Sequence, residues 1–296
     1  MKYHTSVLLQ EAIDGLAVKS GQKYIDATLG GGGHSLAIID AGGIVLGIDA
    51  DRQAIEFVNQ NFSEKVKEEK LILVKGNFKD IDSLAVSNRF EKVSGILFDL
   101  GVSSSQIDKP ERGFSYLNPG PLDMRMDQEL GVKASDLVNV LGKDELIKLF
   151  NNLGDEYRSK DIVRNIIRER NEKSITTTEE LAGILAHSYG FRDVNDFAKA
   201  KSSKKVFQAL RIAVNDELGS LEEGLPKAFE LLEQKGRMVV ISFHSLEDRI
   251  VKKTFKEFEG KGVGRIITKK PILPSPEEMD QNSRSKSAKL RIFEKI

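Results

Sequence analysis

Asp26-Ala-Thr-Leu-Gly-Gly-Gly-Gly-His-Ser35 is the stretch on which the reading of this chain turns. Before it, Lys23-Tyr-Ile-Asp-Ala27 has the size and apolar content of a short buried strand. After it, residues from His34 to about Asp40 have helical spacing. Ile44-Val-Leu-Gly-Ile48 is a second apolar run, ending at Asp49, and Ala54, Ile55, Val58 and Phe62 place a helix over Arg52 to Phe62. Leu71-Ile-Leu-Val74 and Val93 to Leu100 supply a third and a fourth strand, the last carrying Asp99 near its end. Strands alternating with helices at this spacing predict a parallel sheet covered by helices on both faces.

Four glycines in the bend remove every Cβ that would hold a ligand away from the backbone, and they permit positive φ in a tight turn. Amides at the start of the following helix can then bind polar groups of that ligand. Asp49 lies about twenty residues beyond the bend, where a doubly wound nucleotide-binding sheet places a carboxylate on ribose hydroxyls. Asp51 is close enough to take that part instead. Asp26, just ahead of the glycines, suits a cationic ligand better than a pyrophosphate. The sulfonium and ammonium groups of S-adenosylmethionine are such cations, whereas the phosphates of a nicotinamide cofactor would be repelled. Asp99 ends the fourth strand at the switch point of the sheet and leads into Leu-Gly-Val-Ser-Ser-Ser-Gln106, a position suited to an acceptor group. Each of these aspartates can also be read as a helix cap or a turn former.

Beyond the fourth strand the alternation stops. Ser103 to Pro121 reads as loop, and Asp144 to Asn152, Ser159 to Arg170 and Thr178 to His187 read as helices, with Thr177 or Thr178 as an N-cap. Asp193 to Lys205 is polar and basic and reads as loop. Val206 to Glu233 reads as one or two helices broken at Gly219 or Pro226. A strand pattern returns at Arg237 to Phe243, followed by a helix from Ser245 to about Phe258 and two closing strands within Gly264 to Leu273 and Ala288 to Lys295. The polar segment between them, Pro274 to Ser287, reads as mobile. The expected organisation is a sheet domain over 1–107 and 206–296, split by an inserted helical domain over 108–205.

The chain has 296 residues, of which 40% are apolar, enough for a sizeable core. It has no cysteine, which excludes disulfides, thiolate metal sites and cysteine nucleophiles. The four histidines are scattered without ligand spacing, so no metal is expected. No apolar run approaches a membrane span, and Met1 to Ser6 lacks the pattern of a signal peptide, so a cytoplasmic location is expected. Formal net charge is zero, yet the last 46 residues hold twelve Lys or Arg against six Asp or Glu, a distribution that permits phosphate contacts.

Several longer segments resemble the bacterial RsmH (MraW) family. They are His4-Thr-Ser-Val-Leu-Leu-Gln-Glu-Ala12, the loop Gly30 to His34, Gly95 to Gln106, Glu111-Arg-Gly-Phe-Ser115, Gly120 to Asp127, Phe207 to Glu217, and Ile241 to Val251. The resemblance implies a seven-stranded class I methyltransferase sheet, Rossmann-like, with an all-helical substrate-recognition insertion. It implies transfer of a methyl group from S-adenosylmethionine to N4 of a decoding-centre cytidine in 16S rRNA, within the small ribosomal subunit. It carries donor contacts onto Gly32, Gly33, His34, Asp49, Phe78, Asp99 and Gln106. Two stretches depart from the family pattern: Lys201 to Val206, where relatives have a His-Pro segment, and Asn282 to Ser287, where they have an Asn-Pro-Arg run.

Exocyclic N4 of cytosine is a poor nucleophile because its lone pair is delocalised into the ring. A carboxylate accepting a hydrogen bond from N4–H localises that pair, and Asp99 is the candidate catalytic group. Phe114 and Tyr116 are candidates for stacking on a flipped base or for core packing. His244, Glu247 and Arg249 follow the fifth strand, and His244 reads either as a substrate contact or as a helix cap. Arg112, Arg125 and the tail lysines are candidate phosphate ligands. The competing readings are a nicotinamide-dependent oxidoreductase and a non-catalytic RNA-binding factor. The oligomeric state stays open, a homodimer included.

Overall fold

The computed structural model describes residues 6–296, so the first two positions of the His4–Ala12 motif lie outside the described residues. Seven strands form one sheet: β1 (Lys23–Asp26), β2 (Ile44–Asp49), β3 (Leu71–Lys75), β4 (Val93–Asp99), β5 (Leu232–Ser242), β6 (Gly264–Ile266) and β7 (Lys289–Lys295). Their order is β3-β2-β1-β4-β5-β7-β6. β1 to β5 run parallel, and β7 is antiparallel to both neighbours. This is the expected doubly wound seven-stranded sheet. The chain winds outward from β1 in one direction through β2 and β3, and in the other through β4 and β5. The crevice where the direction reverses therefore opens between the ends of β1 and β4, directly above the glycine bend.

The central strands β1, β2 and β4 are buried through most of their length and read as apolar runs, because both faces are covered. On one face Ile25, Ile48, Ile96, Phe98 and Val240 pack with Leu225, Phe229, Phe255 and Phe293. On the other, Tyr24, Val45, Leu97, Val239 and Ile241 pack with Leu8, Leu16, Ile38 and Val58. Helix Leu9–Leu16, for which the sequence pattern gave no signal beyond its motif, supplies part of this second layer.

The chain divides into two compact units, residues 1–101 with 218–296, and residues 102–217. The second unit holds the helices Ala134–Val140, Lys143–Gly154, Ser159–Glu172, Thr178–Ser188 and Asp196–Asn215, packed about Leu146, Phe150, Ile162, Leu181, Val206 and Leu210. It runs further at both ends than the 108–205 expected. Thr177 caps its helix with a capping box to Glu180, as its position suggested.

Four local expectations are corrected. Asp193 to Lys205 is not a loop: Asn195 caps a helix that runs to Asn215. Up to Lys205 its buried positions are Ala198, Lys199, Ser202 and Ser203, so the apolar period that betrays most helices is missing from this part. Helix Lys143–Gly154 approaches the same helix closely at Gly154, where a Cβ would lie only 2.6 Å from the carbonyl oxygen of Lys205. The break before the next helix, Glu217–Leu231, falls at Asp216 (φ 47°), not at Gly219 or Pro226, which both lie inside that helix. The segment Ser103 to Pro121 contains a helical turn, Ser104–Asp108, and a 3₁₀ turn, Pro110–Arg112. Pro274 to Ser287 is also built: it carries helix Pro276–Gln281, buries Ser285, and lets Glu278 accept the Leu8 amide at 2.9 Å.

Asn195→Ala should remove a helix cap whose Oδ1 accepts the Ala198 amide at 3.0 Å. The expected loss is about 1 kcal/mol of stability, read as a lower midpoint in urea denaturation with unchanged slope.

Candidate active site

The glycine bend is held from beneath by two acids. Asp26, at the end of β1 and 1% exposed, accepts the Ser35 hydroxyl at 2.7 Å and the Thr28 amide at 3.2 Å. Asp49, at the end of β2, accepts the Gly30 amide at 2.8 Å through one oxygen and the Asp51 amide at 2.8 Å through the other. Asp51 caps helix Arg52–Asn61 by accepting the Gln53 amide, so of the two candidates Asp49 is the one turned to the bend. Gly32 sits at φ 79°, and a Cβ at Gly33 would collide with the Ser6 hydroxyl, so side chains are disfavoured at both positions.

Asp99 ends β4 across the crevice. Its amide donates to Thr28 Oγ1 at 2.6 Å, which ties the two strand ends together. His34, at the first turn of the helix after the bend, lies between them: Nε2 is 3.1 Å from the Val7 carbonyl, and Nδ1 is 3.6 Å from Asp99 Oδ2. A carbonyl only accepts, so Nε2 carries the proton of the neutral ring and Nδ1 turns a lone pair toward Asp99. Burial pushes the imidazole pKa down to about 4, so at neutral pH it lends Asp99 no positive charge.

The three acids are correspondingly hard to ionise. Burial raises Asp26 to about 6, against the hydrogen bonds from Ser35 and Thr28. Burial also raises Asp49 to about 6, against the Asp51 and Gly30 amides and with the charges of Asp51 and Asp26 adding to the rise. Asp99 stands well above the usual carboxylate range, through burial first and then the charges of Asp26 and Glu247. None of the groups that set these three acidities is a cation. One oxygen of Asp99, Oδ1, is buried without a hydrogen-bond partner. A bare backbone bend ringed by acids that lack a counter-charge is matched to a ligand bearing positive charge near a nucleoside.

The other expected contacts fall as follows. Phe78 opens a 3₁₀ turn just after β3 and meets Phe98 edge-on at 5.6 Å, next to the end of β2. Gln106 belongs to the second unit, where it closes a capping box with Ser103: its Oε1 accepts the Ser103 amide at 2.9 Å. His244 takes the capping role, at the N-terminus of helix Ser245–Gly260. Its Nε2 lies 3.1 Å from Glu247 Oε1 but outside hydrogen-bond geometry. Phe114 and Tyr116 pack in the helical core, Tyr116 edge-on to Phe207 at 5.6 Å.

The structure overturns Arg112 and Arg125 as phosphate ligands. Arg112 is 2% exposed and donates to the carbonyls of Arg125 and Met126. Arg125 forms a two-point pair with Asp123 at 2.8 Å and donates to two further carbonyls. Both tie the loop before helix Ala134–Val140 into shape. Part of the tail's charge is likewise internal: Asp248 holds Arg291, and Glu294 holds Arg265. Sequence spacing cannot separate a guanidinium that folds a loop from one that faces solvent.

The sheet order and the acid-lined glycine bend define a class I methyltransferase, a class that draws its methyl group from S-adenosylmethionine. A model of the MraW methylase family matches residues 1–296, and the chain belongs to that family. Among solved structures it is similar to a candidate rRNA-methylase of Clostridium thermocellum, at 15% identity and TM-score 0.44, covering 99% of each chain. It is also similar to an rRNA methylase of Streptococcus thermophilus, at 13% identity and TM-score 0.44, covering 97% of this chain and 95% of that one. A Streptococcus mutans chain described as a methyltransferase, in complex with SAH, matches at 11% identity and TM-score 0.45, covering 99% and 100%. The family match carries the assignment; likenesses this distant add nothing to it. No helix among the described residues is long and apolar enough to cross a membrane.

The raised acids make a signed prediction. A carboxyl whose folded pKa lies above its unfolded value stabilises the fold below about pH 4 and loses that contribution as pH rises through about 6. Ligand-free protein should therefore gain stability from Asp26 and Asp49 as pH falls from 7 toward 4, on the order of 3 kcal/mol for Asp26. Asp26→Asn should flatten that part of the curve, measured by urea denaturation across pH.

Proposed function

We propose that this chain methylates N4 of a decoding-centre cytidine in 16S rRNA, acting on the small ribosomal subunit. The observation that carries the reading is the buried, unpartnered Oδ1 of Asp99 at the switch point of the sheet, beside a glycine bend ringed with acids. Membership of the MraW family and the motifs from Gly95 to Gln106 support the rRNA substrate and the N4 position.

S-adenosylmethionine, when bound, supplies an electrophilic methyl group on a cationic sulfur. The residues of the chain do the rest. Gly32, Gly33 and His34 shape the bend that receives the donor, with Asp49 as the acceptor for ribose hydroxyls. Its oxygens each carry one amide already and have further lone pairs to offer. Phe78 and Gln106 are assigned to the donor through the family resemblance. Asp99 accepts a hydrogen bond from N4–H of the cytosine, draws the lone pair out of the ring, and takes the proton that N4 sheds as the carbon–nitrogen bond forms. Its raised pKa makes it a stronger acceptor than an ordinary carboxylate. Alignment of the reacting atoms supplies the larger part of the rate, roughly 7–11 kcal/mol. The helical unit, residues 102–217, is the substrate-recognition part. The target base reaches the pocket only when unpaired or flipped. A ribosomal substrate places the protein in the cytoplasm.

Mass spectrometry of 16S rRNA from cells with and without the protein tests the reading: loss of one methyl from a decoding-centre cytidine is expected, and an unchanged methylation pattern rejects it. Asp49→Ala should weaken donor binding by about 1.5–3 kcal/mol in calorimetric titration. Asp99→Asn should lower single-turnover methylation at least about 100-fold while the melting temperature holds or rises, since a buried acid is removed. The wild-type rate should climb as pH rises through the elevated Asp99 pKa. The residual rate of the variant should show no such limb.

A further inference from the structure

Two aromatic side chains of the helical unit stand in solvent. Tyr157 is 88% exposed and Phe197 is 63% exposed, although aromatic rings of this size normally bury most of their surface. Each has a lysine ammonium above its ring. Lys205 Nζ lies 3.9 Å from the Tyr157 centroid, held there by a 2.6 Å hydrogen bond to the Asp155 carbonyl. Lys201 Nζ lies 5.9 Å from the Phe197 centroid.

Phe197, Lys201 and Lys204 recur on one exposed face of helix Asp196–Asn215, and Lys205 brings Tyr157 alongside. From Phe197 to Lys205 there are four lysines and no acid. One of them, Lys199, points to the buried side near Glu179, which leaves three for the outer face. Of the nearby acids, Asp193 and Asp196 precede Phe197, at the N-terminal end where the helix dipole offsets negative charge, while Asp155 and Glu156 adjoin Tyr157, Glu156 accepting the Tyr189 hydroxyl at 2.7 Å. Phe197 and Lys205 are eight residues apart, about 12 Å along a helix axis. This is the same stretch, Lys201 to Val206, whose sequence departs from the family pattern.

We infer that this face binds single-stranded RNA, with bases stacking on Tyr157 and Phe197 and phosphates paired to Lys201, Lys204 and Lys205. Exposed rings interleaved with lysines provide what a single strand requires, a π surface for each base and positive charge along the backbone. A protein partner fits less well, because lysine is depleted from the cores of protein interfaces. The inference rests on the reading that the chain acts on RNA, and it adds where on the helical unit the strand is gripped.

The test uses the full-length protein and a fluorescein-labelled, mixed-sequence RNA strand of about twelve nucleotides, followed by anisotropy. Tyr157→Ala with Phe197→Ala should lower affinity roughly tenfold for each ring lost. Tyr157→Phe, which keeps a ring, should bind as the wild type. Lys201→Ala with Lys204→Ala should lower the slope of log affinity against log salt by about 1.4, two phosphate contacts' worth for a single strand. S-adenosylmethionine binding, measured on the same samples, should be unchanged and certifies the fold. Wild-type affinity in the double aromatic variant overturns the inference. So does a change of sedimentation behaviour without loss of RNA affinity, which marks a protein contact instead. If the wild type methylates 16S rRNA and the variants still bind RNA normally, the surface assignment fails alone. If the wild type grips the strand through these residues but methylates no rRNA, the proposed function fails alone.

Discussion

A bend of four glycines has little to hold it in one shape, since its residues have no side chains and wide backbone freedom. Here the restraint comes from carboxylates at the ends of two adjacent parallel strands: Asp49 accepts the Gly30 amide, and Asp26 accepts the Thr28 amide and the Ser35 hydroxyl. The Asp99 amide, donating to Thr28, joins the third strand end to the same bend. These contacts require parallel strands in register, because only then do three carboxyl termini arrive at one edge. The sheet, its two apolar layers and the flanking helices can be understood as the frame that keeps this arrangement in place.

The same arrangement sets the electrostatics. The carboxylates at these strand ends are largely withdrawn from solvent, and burial without a counter-ion raises their pKa. His34 does not relieve this, since its own burial keeps it neutral and its bond to the Val7 carbonyl turns a lone pair toward Asp99. The pocket is thus less stable alone than with a cation in it. Restraint of the bend and preference for a positively charged donor follow from one set of side chains, which is why the two properties cannot be engineered apart at Asp26 or Asp49.

The helical unit shows the opposite relation between charge and function. Arg112 and Arg125 have the residue type of a phosphate ligand, but their guanidinium groups are spent on carbonyls and on Asp123. Lys201 and Lys204, in a stretch that looks like an unstructured connection, stand on the outer face of a long helix. Position relative to the local core, and not residue type, decides which cations meet solvent.

The strand ends at Asp26, Asp49 and Asp99, the bend between β1 and its helix, and the order of elements could be read from the chain, because buried parallel strands are short uninterrupted apolar runs and glycine clusters mark turns regardless of context. The first half of the Asp196–Asn215 helix could not, because its buried positions up to Lys205 are alanine, lysine and serine and show no apolar period. Nor could the proton position on His34 or the fates of Arg112 and Arg125, which depend on carbonyls contributed by residues distant or differently turned in the chain. Local sequence determined which segments form strands, where the backbone bends and which acids stand at the bend. Tertiary structure alone decided which of those acids lack a partner, because the hydrogen bonds and burial that set their charge are made by groups brought together only when the sheet closes.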